Sequence, residues 1–126
     1  MILSFRDLEV YNESFQLSVE IEDLLKTFPP FERYLLIDQM RRASRAIPAL
    51  IAEGWSKRES IKEFQKYLKD ALGETNEMVN HLLFSQNRKY IKKIGYADEL
   101  ISRYEILAKK ITNLKNNWQN FKVSKD

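Results

Sequence analysis

Gln39-Met40-Arg41-Arg42-Ala43-Ser44-Arg45-Ala46-Ile47-Pro48-Ala49-Leu50-Ile51-Ala52-Glu53-Gly54 decides the fold of this chain. An apolar seam runs through it: Leu36, Met40, Ala43, Ile47, Leu50 or Ile51, and Gly54 recur at three- and four-residue steps, the period of an amphipathic helix. Arginines cluster at one end and a single Glu precedes a Gly at the other. The helix is expected over about residues 31–54. Pro48 removes one backbone hydrogen bond and predicts a kink or a brief break. Gly54 is placed to terminate it.

The same period recurs on either side. Tyr11, Ser14, Leu17, Ile21, Leu24 and Phe28 predict a first helix over about 5–28, ended by Pro29-Pro30. Ser4 and Asp7 resemble a capping box at its start. Ser60-Ile61-Lys62-Glu63 is a full capping box and opens a third helix over about 60–88. Its seam is Ile61, Phe64, Leu68, Ala71 or Leu72, Thr75, Met78 or Val79, and Leu82. Arg88 to Gly95 reads as a basic connector. Leu100, Tyr104, Leu107, Ile111, Leu114, Trp118 and Phe121 predict a fourth helix over about 97–122, with a frayed tail beyond Lys122. Four long helices joined by short connections imply one all-α domain, residues 1–126, folded as an antiparallel up-down-up-down bundle. Tyr11, Phe15, Phe64, Tyr67, Tyr104 and Trp118 either fill wide core layers or lie between subunits, two places where aromatic residues are at home.

Composition narrows the chemistry. The chain has 126 residues and no cysteine, which removes disulfides, thiol nucleophiles and Cys-ligated zinc and fits a reducing cytoplasm. No signal peptide and no membrane span are expected. The net charge is +3, unevenly spread: residues 1–27 carry −4 and the remainder +7. Such asymmetry marks either a nucleic-acid face or a solvated helix surface.

Catalytic constellations are missing from the sequence. The three glycines are isolated, so no phosphate loop is present. His81 is the only histidine, and Glu77 lies four residues before it rather than three, so the ligands of a di-iron bundle are lacking. His81 is expected as a partly exposed helical histidine. Acid–base work through Glu53 or Glu77 is not demanded by their spacing. No enzyme activity, metal or cofactor is expected.

Basic groups are more suggestive. Arg41 and Arg45 fall one i, i+4 step apart, and Lys57, Lys62, Lys66 and Lys69 continue the positive charge, the last three on one helix face. These six are the candidate contacts to a phosphate backbone. Pairing with Glu59, Glu63, Asp70 and Glu74 is the competing expectation. Glu53 sits where the helix macrodipole disfavours an acid, which predicts a partner among Arg42, Arg45 and Arg58.

Together these residues carry a resemblance. Phe5-Arg6-Asp7-Leu8-Glu9-Val10-Tyr11, Gln39-Met40-Arg41-Arg42-Ala43, Ile47-Pro48 and Ile51-Ala52-Glu53-Gly54 with Arg58, then Glu63-Phe64, Leu68, Ala71, Gly73 and Glu77, resemble the four-helix-bundle proteins named for the 23S rRNA intervening sequence. That family is similar to the accessory protein of diversity-generating retroelements. Ala46, Leu50 and Glu74 depart from its usual Ser, Asn and Ser. The resemblance implies a homopentamer, with Arg42, Glu53, Gly54, Arg58, Gly73 and Glu77 as motif or assembly residues, and it invites RNA binding. The function expected is a non-enzymatic oligomeric bundle that binds structured RNA or DNA; the alternative is a protein-interaction scaffold with a protein partner.

Overall fold

A computed structural model describes the backbone of residues 1–124 and the side chains through Trp118. Four α-helices form, and no strand is present among the described residues: α1 (Glu9–Leu25), α2 (Asp38–Trp55), α3 (Ile61–Asn87) and α4 (Tyr96–Ser124). Ser4 and Asp7 do make a reciprocal capping box, yet it caps a separate 3-10 turn, Phe5–Asp7, and α1 begins after the extended Leu8. The first helix is therefore shorter than 5–28 at both ends. Pro29 and Pro30 lead into a 3-10 turn, Pro30–Glu32, then a π turn, Arg33–Ile37, before α2 starts. The helical period of residues 31–37 is real, but its backbone is wound differently.

Pro48 does not break α2, which runs unbroken past it and past Gly54 to Trp55. The lost N–H at Pro48 costs one hydrogen bond, while Ile47 and Pro48 are both buried and hold the helix by packing. Ser60 caps α3 by accepting from Glu63 N at 3.2 Å. At the other end of α3, Tyr90 N donates to Ser85 O and Lys89 N to Gln86 O, a Schellman stop. Its left-handed position is filled by Lys89, with φ of 61°.

The predicted seams point inward. Leu17, Ile21, Met40, Ile47, Ile51, Phe64, Leu68, Met78, Tyr104, Leu107 and Ile111 are buried in one continuous core. Ile51 rather than Leu50 and Met78 rather than Val79 take the core positions. Trp55, Phe64 and Trp118 meet edge to face at one end, with ring centroids 4.9–6.4 Å apart. Phe64, Tyr104 and Trp118 thus fill the core, Tyr11 and Tyr67 are half-buried, and Phe15 is 51% exposed. Phe121 lies outside the described side chains.

Neighbouring helices meet differently. Contacts between α2 and α3 run from Gly54 against Phe64 and Tyr67 to Met40 against Ser85. Gln65 and Gln86 of α3 bond Lys115 O and Asp98 of α4. Long charged side chains bridge α1 and α4: Lys110 reaches Glu9 and Glu13, both at 2.6 Å, and Arg103 Nη1 reaches Glu20 Oε1 at 2.9 Å. None of the four helices, among the described residues, is long and apolar enough to cross a membrane.

Candidate nucleic-acid interface

The arginines of α2 diverge around the helix. Arg41 Nε donates to both Glu22 oxygens at 3.1 and 3.0 Å, and Arg45 Nη2 to Glu22 Oε1 at 3.2 Å. Both therefore sit at the α1–α2 seam and neutralise an acid there. Arg42 points the other way, to Glu74 at 3.1 Å and Glu77 at 2.7 Å on α3. Burial pushes the Glu74 carboxyl up, as does sharing a hydrogen bond with Glu77. At Glu77 burial works in the same direction, but bonds with Glu74, Arg42 and His81 outweigh it and hold that carboxyl low. Glu74 and Glu77 thus form an arginine clamp between two helices.

His81 is buried rather than partly exposed, with Nε2 3.2 Å from Glu77 Oε1. It lines a cleft together with Leu36 of the π turn and Gln39 of α2. Among the described residues no three His, Cys, Asp or Glu side chains are arranged to hold a metal.

Glu53 does not pair with an arginine. Tyr67 OH donates to its Oε2 at 3.0 Å. Arg42 and Arg45 are eleven and eight residues away on the same helix, roughly 16 and 12 Å along an axis rising about 1.5 Å per residue, beyond side-chain reach. Arg58 instead donates Nη1 to Trp55 O at 3.1 Å and lies 4.3 Å over the Trp55 ring. Glu53 is exposed, so water screens the unfavourable dipole. The Glu53 bond also raises the Tyr67 phenol above its ordinary value. Gly54 is not a terminator: it is buried inside α2, where a side chain would strike Tyr67 and Phe64. Gly73, by contrast, faces open space.

Lys57, in the α2–α3 connection, and Lys62, Lys66 and Lys69, on α3, are all exposed or nearly so. Lys66 Nζ lies 3.5 Å from Asp70 Oδ2 with both side chains largely in water, a pair of marginal worth. No described carboxylate lies within ion-pair distance of Lys57, Lys62 or Lys69. Lys62, Lys66 and Lys69 share one face of α3, with Lys57 in the connection before it; Arg41 and Arg45 sit elsewhere, at the α1–α2 seam around Glu22.

A second basic surface lies outside the candidates that the sequence suggests. Arg88, Lys89, Lys92 and Lys93 occupy the connector between α3 and α4, and all are exposed. Arg33 is likewise exposed, in the π turn before α2. Tyr90 is the link: its ring lies 5.4 Å from Phe28 and 6.4 Å from Phe31, and its OH donates to Glu32 Oε2 at 2.9 Å. The connector's charge is legible in the sequence. Its folding onto residues 28–33 depends on a tertiary contact that no local pattern announces.

Across the α1–α4 seam, the Arg103 bond holds the Glu20 carboxyl below its ordinary value against the opposing effect of burial. Burial, then the bond to Glu20 at 3.1 Å, pushes the Tyr96 phenol up to about 12.

A family model described as 23S rRNA-intervening sequence protein matches residues 6–113. A search of curated proteins finds no match.

Proposed function

Because the chain belongs to the 23S rRNA-intervening sequence protein family, we propose that it is a non-enzymatic, oligomeric bundle that binds structured RNA or other nucleic acid through basic helix faces. The observation that carries this reading is the lysine surface of Lys57, Lys62, Lys66 and Lys69, three of whose ammonium groups lack a carboxylate partner among the described residues. Unpaired cations in and just before the first turns of α3 are free to displace counterions from a phosphate backbone. Recognition proceeds by phosphate and shape, as no RNA-recognition motif is present in the sequence.

The bundle is proposed as one up-down-up-down domain. The α2–α3 contacts support this, since Gly54 meets the start of α3 and Met40 its end. It assembles as a homopentamer, by the family resemblance. Exposed apolar residues favour assembly: Phe15 and Val19 on α1 and Ile106 on α4 are each 43–51% exposed. A ring of five copies at +3 would carry about +15 and steer polyanions at long range. The cysteine-free chain suits the cytoplasm.

Fluorescence anisotropy against structured RNA and duplex DNA across a salt series tests the reading. Lys62→Gln with Lys66→Gln should keep the melting temperature. It should make the slope of log K against log salt shallower by about 2 units, about one for each phosphate no longer neutralised. Absence of binding at low salt would sink the proposal. An apolar cleft of about 390 Å³ beside Phe15, Pro48 and Ala52 would then favour the protein-scaffold alternative.

A further inference from the structure

Two aromatic rings stand in water at the end of the bundle away from the lysine face of α3. Phe31 is 71% exposed and Tyr34 78% exposed. They ride on the 3-10 and π turns that lead into α2, so irregular backbone rather than a regular helix presents them. π turns recur at functional positions. Arg33 lies between them, its guanidinium carbon 5.7 Å from the Tyr34 ring centre.

The support beneath carries one acid, and it is occupied. Glu32 is the only acid between Lys26 and Asp38. Its carboxylate is buried under the Tyr90 hydroxyl. The same Tyr90 packs the connector edge-on against Phe31, and Lys89 and Lys92 flank Tyr90 in that connector. No described carboxylate lies within ion-pair distance of Arg33, Arg88, Lys89 or Lys92. The C-terminal dipole of α3 accounts for cations at Arg88 and Lys89, but not for Lys92, Lys93 or Arg33. Lys89 itself holds a left-handed backbone conformation that glycine would adopt at less cost.

We propose that this end of the molecule, with Phe31 and Tyr34 as stacking faces and Arg33, Arg88, Lys89 and Lys92 as phosphate contacts, binds an unpaired nucleic-acid strand. The inference rests on the nucleic-acid reading above and adds a second site of different selectivity. A duplex hides the faces of its bases; an unpaired strand offers one to each exposed ring while its phosphates meet the cations. The lysine face of α3 has no comparable exposed ring, since Tyr67 is half-buried and bonded to Glu53.

The test compares the full chain with Phe31→Ala/Tyr34→Ala. The probes are a fluorescent oligothymidylate of about twelve nucleotides, within the span of one single-strand site, and a duplex of equal length. The double variant should bind the oligothymidylate at least about tenfold more weakly, with duplex affinity unchanged. Phe31→Trp should retain strand binding. Light-scattering mass should not move, and the melting temperature should fall only slightly, because both rings are largely solvent-exposed and Phe31 loses only its edge contact with Tyr90. Unchanged oligothymidylate affinity, or an equal loss on the duplex, overturns the proposal. So does a loss confined to phosphatidylserine vesicles, which would make the patch a lipid surface, or a change in mass, which would make it a contact between copies. Strand binding that responds to Lys62→Gln/Lys66→Gln but not to the ring variant overturns the platform and leaves the nucleic-acid reading standing. No binding of either probe at low salt removes both.

Discussion

Gly54 and Tyr67 touch so closely that a Cβ built on Gly54 would lie 2.6 Å from the Tyr67 Cβ. That atom is anchored to the backbone of α3 and has no rotamer by which to move aside. The approach brings the Tyr67 hydroxyl to Glu53, so the Glu53-Gly54 pair makes one joint: the glycine admits the ring and the acid holds its tip.

Gly54→Ala should therefore destabilise the protein. The better helix propensity of alanine contributes about 1 kcal/mol, but forcing α2 from α3 costs about 1–3 kcal/mol. A net loss of up to about 2 kcal/mol in urea unfolding is expected. A gain in stability would mean that the helices separate freely there.

Gly73→Ala should behave oppositely. The position is in mid-helix with open space beyond it, so alanine should stabilise the chain by about 0.5–1 kcal/mol. Light scattering completes the measurement. A lower melting temperature with a reduced mass would identify Gly73 as a close contact between subunits.

Tyr104→Phe should be neutral or stabilising by up to about 1 kcal/mol. The Tyr104 hydroxyl is buried with no hydrogen-bond partner among the described residues, and burial pushes its ionisation far up. Removing the oxygen deletes a desolvated group and leaves the ring in place. A loss above about 1 kcal/mol in equilibrium unfolding would show that the hydroxyl is satisfied in solution.

Acid should weaken the α1–α4 seam. The Arg103 bond depresses the Glu20 carboxyl below its ordinary 4.5, and Lys110 does the same for Glu9. A depressed folded value stabilises above the unfolded one and loses that stability as pH falls through the folded one. Glu74 works with the opposite sign, because its raised value favours protonation in the folded state before pH 4.5 is reached. Stability should hold from neutrality to about pH 5 and fall below it. Glu20→Gln should cost about 1 kcal/mol at neutral pH, since the pair is partly solvated, and flatten the acid limb. An unaltered pH profile in that variant would take Glu20 out of the acid transition.

Much of the candidate site is legible in the sequence as residue type but not as partnership. Lys62, Lys66 and Lys69 reach solvent as their spacing implies, because one helix face is settled by local periodicity, and Lys57 does so from the connection before them. Arg41 and Arg45 share that basic pattern. Yet they are paired with Glu22, nineteen and twenty-three residues away in sequence. The macrodipole argument gives Glu53 an arginine. Its partner is a tyrosine on the next helix, reached only because Gly54 lets that helix come close.

By itself the sequence determined the four amphipathic helices and the apolar seam of each, though not the choice between neighbours such as Leu50 and Ile51, since a 3.6-residue period and capping chemistry act within a few neighbouring positions. Only the tertiary structure decided that Pro48 and Gly54 lie within a continuous α2, that residues 30–37 wind as 3-10 and π turns, and which carboxylate each arginine takes. Helix termini, close approaches and ion pairs depend on where a second element stands. That placement follows from packing the whole core at once, which no local stretch of chain encodes.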